Sequence, residues 1–62
     1  MEEYKRRILD EYTDLLVKLT KLRVFLESDS YESLTEESKT LLGHQENIMN
    51  EYLGILNARL TK

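Results

Sequence analysis

The sequence lacks several features on which small proteins depend. It has no cysteine among its 62 residues and only one histidine, His44. These absences exclude a disulfide and a thiolate metal site, and one histidine does not make a metal site by itself. A chain below roughly 70–80 residues seldom gains more than ~3–5 kcal/mol from a single core. Oligomerisation is therefore the remaining way for this chain to bury more apolar surface.

Long apolar runs and a basic excess are also missing. No run approaches the ~20 apolar residues of a membrane span, and the N-terminal stretch MEEYKRR lacks the apolar core of a signal peptide. We therefore expect a cytoplasmic protein with no membrane partner. The formal net charge of −3 argues against duplex nucleic acid as a partner, because that kind of binding rests on an excess of lysine and arginine.

Catalytic motifs are absent from the sequence too. It contains no glycine-rich phosphate loop, no HExxH and no acidic metal loop. His44 has no cysteine to activate and no serine or aspartate at a suitable spacing. We therefore expect no enzymatic activity, no cofactor and no metal site.

The residues that are present predict two long helices. In the first half, apolar side chains recur in steps of 4, 3, 4, 3 and 4 residues, at Ile8, Tyr12, Leu15, Leu19, Leu22 and Leu26. This is the spacing of a packed helical seam. A second line on the opposite side is either tolerated surface or a weaker subunit contact. Its members are Thr13, Val17, Thr20 and Val24.

The second half of the sequence carries two interleaved apolar lines. One consists of Leu41, Ile48, Tyr52 and Ile55, and the other of Leu42, Met49, Leu53, Leu56 and Leu60. One partner helix buries only one such line. The other line therefore needs a further chain, or it would remain as an exposed patch of the kind that marks interfaces.

Between the two halves lies the polar segment ESDSYESLTEES, residues 27–38. Its first serines and aspartate prefer to bond neighbouring backbone groups, which ends the first helix near Glu27. Thr35 suits the N-cap of the second helix because two glutamates follow it. Ser33 with Glu36 fits the spacing of a capping box as an alternative. Tyr31 and Leu34 are predicted to fold back over the end of the hairpin core.

These elements predict an all-α protein in a single domain, residues 1–62. Its fold is an antiparallel two-helix hairpin with helices over about 2–27 and 36–60 and a loop of about eight residues. Residues whose numbers add to about 63 are then neighbours, which places Lys18 beside Gln45. We expect the hairpin to form a homo-oligomeric helical bundle, with a dimeric four-helix bundle as the favoured assembly.

Charge is unevenly distributed along this predicted hairpin. Acidic residues cluster at the turn, at Glu27, Asp29, Glu32, Glu36 and Glu37. Basic residues gather close to Tyr4 at the open end, and they are Lys5, Arg6, Arg7, Arg59 and Lys62. Arginine suits bidentate phosphate binding and a tyrosine ring provides a stacking surface, so the open end is a candidate phosphate or nucleotide site. Solvated terminal charge is the ordinary alternative.

Three polar residues stand on or beside the seam. We expect Tyr12 and Tyr52 to bury their rings and to direct their hydroxyl groups to a polar partner. Gln45 occupies a seam step between Leu41 and Ile48. A polar residue at such a position more often fixes register or oligomeric state than binds a ligand.

Residues along nearly the whole chain also match a known pattern without gaps. The matching positions are Tyr4, Arg7, Ile8, Glu11, Leu15, Lys18, Leu19, Lys21, Leu22, Phe25, the SDSYESL turn, Glu37, Leu41, Gln45, Met49, Tyr52, Leu56 and Arg59. This pattern resembles a family of short helical-hairpin proteins encoded by tailed bacteriophages and prophages, with relatives in crAss-like phages. Tyr12 departs from it, since that family usually has a charged or polar residue there. A contact at mid-hairpin is therefore expected to differ.

The resemblance implies a phage accessory protein that acts in the cytoplasm of the bacterial host. Small helical oligomers of this class blunt host immunity, some by sequestering cyclic or ADP-ribose-type nucleotide signals between subunits. By this analogy of class, the ligand-binding residues are Tyr4, Arg7, Lys18, Tyr52 and Arg59, with Gln45 as a hydrogen-bonding partner. Two alternatives stay open: a module that binds and inhibits a host protein, and a structural coiled-coil adaptor.

Overall fold

The computed structural model describes residues 2–62, which fold into a helical hairpin. Helix α1 spans Glu3–Leu26, a short helix α2 spans Asp29–Glu32, and α3 spans Glu36–Leu60. No strand occurs within residues 2–62. The long helices α1 and α3 pack against each other. Both long helices match their predicted bounds to within one residue.

The core of the hairpin is the seam between α1 and α3. Leu19 and Leu56 are completely buried, each with 0% of its surface exposed, and Ile8 and Leu53 are also buried. The predicted α1 line therefore supplies the core, as its spacing indicated. On α3, the line that faces α1 is the one containing Leu53 and Leu56. The sequence pattern did not predict which of the two α3 lines packs against α1, because both lines have helical spacing.

The turn contains a short helix where the sequence predicted a loop. Ser28 is its N-cap, and the Ser28 hydroxyl accepts a hydrogen bond from the backbone N–H of Tyr31 at 3.3 Å. The same hydroxyl donates to the carbonyl oxygen of Phe25 at 2.6 Å. The Ser28 hydroxyl therefore bonds both the last turn of α1 and the first turn of α2. This explains why the polar segment forms a short helix and not an irregular loop.

Aromatic packing closes the loop end of the core, as predicted for Tyr31. The rings of Phe25 and Tyr31 meet edge to face with their centroids 6.4 Å apart. The ammonium group of Lys39 lies 5.4 Å from the centre of the Tyr31 ring and 3.7 Å from carboxylate oxygens of both Glu32 and Glu36. These contacts tie α2 to the first turn of α3.

Helix α3 begins at the N-cap that the sequence favoured. The Thr35 hydroxyl accepts a hydrogen bond from the backbone N–H of Ser38 at 3.1 Å. Glu36 and Glu37 follow in the first turn, where negative charge stabilises the positive end of the helix. Ser33, the alternative, instead donates from its hydroxyl to the carbonyl oxygen of Ser30 at 2.9 Å.

The hairpin is a rod and not a sphere. It measures 45 × 15 × 12 Å, and its radius of gyration is 14.4 Å, against about 11 Å for a compact domain of this length. Its accessible surface is 4886 Å², whereas a compact monomer of 7.4 kDa exposes about 4,200 Å². The single hairpin therefore leaves exposed a surface that globular proteins of its mass bury.

Candidate functional site

A tyrosine and an arginine from opposite ends of the sequence meet at the open end of the hairpin. The Nη2 group of Arg59 donates a hydrogen bond to the Tyr4 hydroxyl at 3.2 Å, and the guanidinium carbon lies 5.7 Å from the centre of the Tyr4 ring. The hydrogen bond to Tyr4 is the main cause that raises the pKa of Arg59, and the Glu11 carboxylate adds to it. The pair is exposed, so both groups are accessible to a ligand.

Lys5 fixes the end of α3 beside this pair. The Lys5 ammonium group donates to the carbonyl oxygen of Leu60 at 2.9 Å, and also to the carbonyl oxygens of Arg59 and Lys62. A cation at this position satisfies the terminal carbonyls of a helix and complements the negative end of its dipole. Lys5 therefore has a structural role, since it holds the turn of α3 that carries Arg59. The sequence pattern only placed Lys5 among the basic residues of the open end and did not identify this role.

The six residues proposed from the sequence as ligand-binding share one side of the rod. Gln45, Tyr52 and Arg59 recur every seven residues on α3, while Lys18 follows Tyr4 by fourteen on α1. Both spacings return to the same side of a helix. The Tyr4–Arg59 contact shows that these two sides adjoin. Arg7 lies three residues from Tyr4, a neighbouring position on the α1 surface. We call this set the candidate face.

Within one hairpin, the candidate face does not form a single pocket. Its Arg7 lies 3.5 Å from a carboxylate oxygen of Glu3, and its Lys18 lies 3.2 Å from one of Asp14. Gln45 donates to the sulfur of Met49 at 3.8 Å. Arg59 and Gln45 are fourteen residues apart, about 21 Å along the helix. The face therefore divides into two clusters. The open-end cluster consists of Tyr4, Arg7 and Arg59, and the central polar cluster consists of Lys18, Gln45 and Tyr52.

An exposed apolar stripe on α3 adjoins the candidate face. It consists of Leu41, Ile48, Tyr52 and Ile55, whose exposed fractions lie between 39% and 63%. The prediction that Tyr52 buries its ring is wrong for the single hairpin, because the line containing Tyr52 lies to one side of the seam, where α1 does not cover it. Tyr12, which lies on the α1 seam, is partly buried.

An open apolar groove of about 450 Å³ lies at the loop end of the hairpin. Phe25, Leu34, Ser38, Leu41 and Leu42 line it. None of the six candidate residues is among these. The sequence reasoning placed Leu34 at the end of the core but missed the groove, which needs Phe25 and Leu41 to approach from separate helices.

No group of three or more His, Cys, Asp or Glu side chains over residues 2–62 is arranged to hold a metal ion. In the same range, no helix combines the length and the apolar character needed to cross a membrane. The features that stand out chemically are the Tyr4–Arg59 pair, the central polar cluster and the apolar stripe, all of which suit binding.

Comparison with protein families gives a match over almost the whole hairpin. A family model described as Sequestin matches residues 2–62. The chain belongs to the Sequestin family. The name Sequestin fits a protein that binds and sequesters a ligand, and it does not indicate an enzyme. No curated protein and no solved structure matches the sequence.

Proposed function

We propose that this Sequestin-family hairpin is a non-enzymatic phage accessory protein. It counteracts host antiviral defence by binding and sequestering a nucleotide immune signal, either a cyclic nucleotide or an ADP-ribose derivative, in the bacterial cytoplasm. The observation that supports the proposal most directly is the exposed Tyr4–Arg59 pair in a chain of this family.

The chemistry of the candidate face suits a nucleotide. A guanidinium group binds phosphate oxygens in a bidentate manner, and an aromatic ring accepts a stacked base. The hydrogen bond and the ring contact hold Arg59 close to Tyr4, so the two groups are pre-positioned for one ligand. Sequestration without catalysis predicts that the ligand is retained and later released unchanged.

A sequestering protein also has to enclose its ligand. One hairpin exposes both clusters of the candidate face on a rod only 15 Å wide. Binding sites that hold a small molecule firmly bury most of its surface. We therefore include self-association in the proposal: a homo-oligomer supplies the second wall of the site, and Arg7, Lys18, Gln45 and Tyr52 complete it.

Native mass spectrometry tests this function. The purified protein is mixed with cyclic di-AMP, cyclic GMP-AMP or cyclic ADP-ribose, and we expect a stoichiometric mass increment on an oligomer with one of these probes. Arg59→Gln should weaken that binding at least tenfold, because it removes the guanidinium group that binds the phosphate. Arg6→Gln is the matched control, since it removes the same charge at the open end but stands two residues from Tyr4, on another side of α1.

Two results would contradict the proposed sequestration. One is recovery of a chemically altered nucleotide after incubation, which would indicate an enzyme. The other is the absence of any mass increment across cyclic dinucleotides, cyclic trinucleotides and ADP-ribose derivatives at concentrations far above those of cellular signals.

The apolar stripe supports a second candidate function, that of a helical module that binds and inhibits a host protein. Exposed helix faces of this kind dock into partner grooves through residues at helical spacing. This function predicts no nucleotide affinity and stoichiometric co-purification of one bacterial protein from expressing cells. Loss of that protein from preparations of the Ile48→Asp variant would support this function. Equal recovery with the wild type and with Ile48→Asp would exclude the stripe as its binding surface.

A further inference from the structure

The apolar stripe of α3 repeats the buried seam of the same helix one position earlier. Seam residues such as Leu42, Met49 and Leu56 each follow a stripe residue, as Leu42 follows Leu41. A shift of one residue is a rotation of about 100° around an α-helix. Helix α3 therefore presents two packing faces at nearly a right angle, which is the arrangement of a helix that has two neighbours in a four-helix bundle.

We propose that the stripe binds the stripe of a second copy, with the two α3 helices antiparallel and Ile48 on the two-fold axis. This pairing brings Lys18, Gln45 and Tyr52 of both copies around the axis, so that the ligand site is shared by two chains. The statement about the ligand rests on the proposed function. The pairing itself rests on the exposed surface and the charges of the hairpin.

The exposed area fits a dimer of ordinary size. The hairpin exposes 4886 Å², about 700 Å² more than a compact monomer of its mass. A standard protein interface buries about 800 Å² on each partner. The surplus of about 700 Å² per hairpin is therefore close to the area that one further copy on the stripe would bury.

Antiparallel pairing also matches opposite charges along α3. With Ile48 on the axis, residues of the two α3 helices whose numbers add to 96 lie level, so Leu41 meets Ile55 and Glu37 lies level with Arg59. A parallel pair would set Arg59 beside Arg59 and Glu37 beside Glu37. Like charges in such positions are unfavourable, and opposite charges fix the orientation.

The two α1 helices, which adjoin on the side of the candidate face, also pair opposite charges in the antiparallel arrangement. The Tyr4–Arg59 contact shows that, within one hairpin, residues of α1 and α3 lie at the same height when their numbers add to about 63. Combined with the sum of 96 between the two α3 helices, this places residues of the two α1 helices at the same height when their numbers add to about 30. Glu11 of one copy then faces Lys18 of the other. The exposed ring of Tyr4 comes level with Phe25, which lines the apolar groove of the other copy.

The central layer of this dimer is polar. Lys18 lies at the same height as Gln45 of its own hairpin. Gln45 in turn lies at nearly the same height as Tyr52 of the other copy, with an offset of one residue. Each copy contributes the same three groups, so the layer holds two ammonium groups, two amides and two aromatic rings. The Asp14 carboxylate, 3.2 Å from Lys18, and the Glu11 carboxylate of the other copy lie beside each ammonium group, so a phosphate has to displace them. A ligand with phosphate groups and a planar base finds in this layer cations, hydrogen-bonding partners and stacking surfaces from both chains.

Cysteine cross-linking tests the pairing, because the chain has no cysteine of its own and each introduced thiol is unique. With a short bismaleimide, Ile48→Cys should give a covalent dimer. Leu41→Cys alone and Ile55→Cys alone should stay uncoupled, since equivalent positions lie far from the axis. An equimolar mixture of Leu41→Cys and Ile55→Cys chains should cross-link. Val24→Cys, on an exposed α1 position, is the control and should not.

The outcomes separate this inference from the proposed function. Self-coupling of both Leu41→Cys and Ile55→Cys would show a parallel pair and overturn the inference. A monomeric hairpin, alone or with a bacterial protein on the stripe, would overturn it as well. If the predicted cross-links form but cyclic dinucleotides, cyclic trinucleotides and ADP-ribose derivatives all fail to bind, the pairing stands and the nucleotide function fails. Nucleotide binding by a monomer would support nucleotide sequestration but overturn both the self-association and the shared site.

Discussion

Two completely buried leucines hold the hairpin together at the level of single residues. Leu19 and Leu56 face each other's helix with 0% of their surfaces exposed. We expect Leu56→Ala to lower the free energy of unfolding by about 2–5 kcal/mol, through lost apolar burial and the cavity that is left. Because a core of this size supplies only ~3–5 kcal/mol, the variant should lose a large part of its stability. A urea titration followed by circular dichroism should show its unfolding midpoint at a much lower urea concentration than that of the wild type.

The control for this prediction is Val24→Ala on the exposed surface of α1. Val24 is 66% exposed, so truncation there should change the unfolding free energy by less than about 0.5 kcal/mol. A Leu56→Ala variant as stable as Val24→Ala would contradict the seam as the source of stability.

Capping decides where the elements begin. Thr35 satisfies a backbone N–H of the first turn of α3, whereas Ser33, two residues earlier, bonds a carbonyl oxygen of the turn. We expect Thr35→Ala to cost about 1 kcal/mol, which corresponds to a melting temperature lower by about 4–8 °C for a small domain. Ser33→Ala should lower it far less. Equal effects in thermal unfolding would show that Thr35 does not act as the cap.

Element boundaries were the part of the fold that the sequence predicted well. The α1 seam follows from apolar spacing alone, and the start of α3 from Thr35 followed by acidic residues. Helix α2 was missed because it depends on one hydroxyl, that of Ser28, bonding in two directions. The exposure of Tyr52 was missed for another reason: two apolar lines with equal spacing compete for one partner, and only tertiary packing selects between them.

The candidate site was predictable to a smaller extent. The meeting of Tyr4 and Arg59 follows from antiparallel pairing of the two helices and the length of the turn. The role of Lys5 did not follow, because it requires the α3 terminus to lie within reach of its ammonium group. Likewise, the division of the candidate face into two clusters appears only once the length of the rod is considered.

For the molecule as a whole, self-association should make stability depend on protein concentration. A dimer that unfolds to monomers gains stability by mass action, so the melting temperature of the wild type should rise as concentration is increased from micromolar to hundreds of micromolar. Ile48→Asp should abolish this dependence, because it places two carboxylates together at the axis of an apolar interface, where unpaired charge is strongly unfavourable. Calorimetry or circular dichroism measures both effects.

Val17→Asp provides the matched control for the whole-molecule prediction. Val17 on α1 and Ile48 on α3 have nearly equal exposed fractions, 48% and 51%, so the two substitutions differ mainly in which surface they alter. If Val17→Asp abolished the concentration dependence and Ile48→Asp preserved it, the interface would lie on the line through Val17 and Val24. Because that line lies away from the candidate face, such a dimer would leave Lys18, Gln45 and Tyr52 without a second wall, and a shared ligand site would be ruled out.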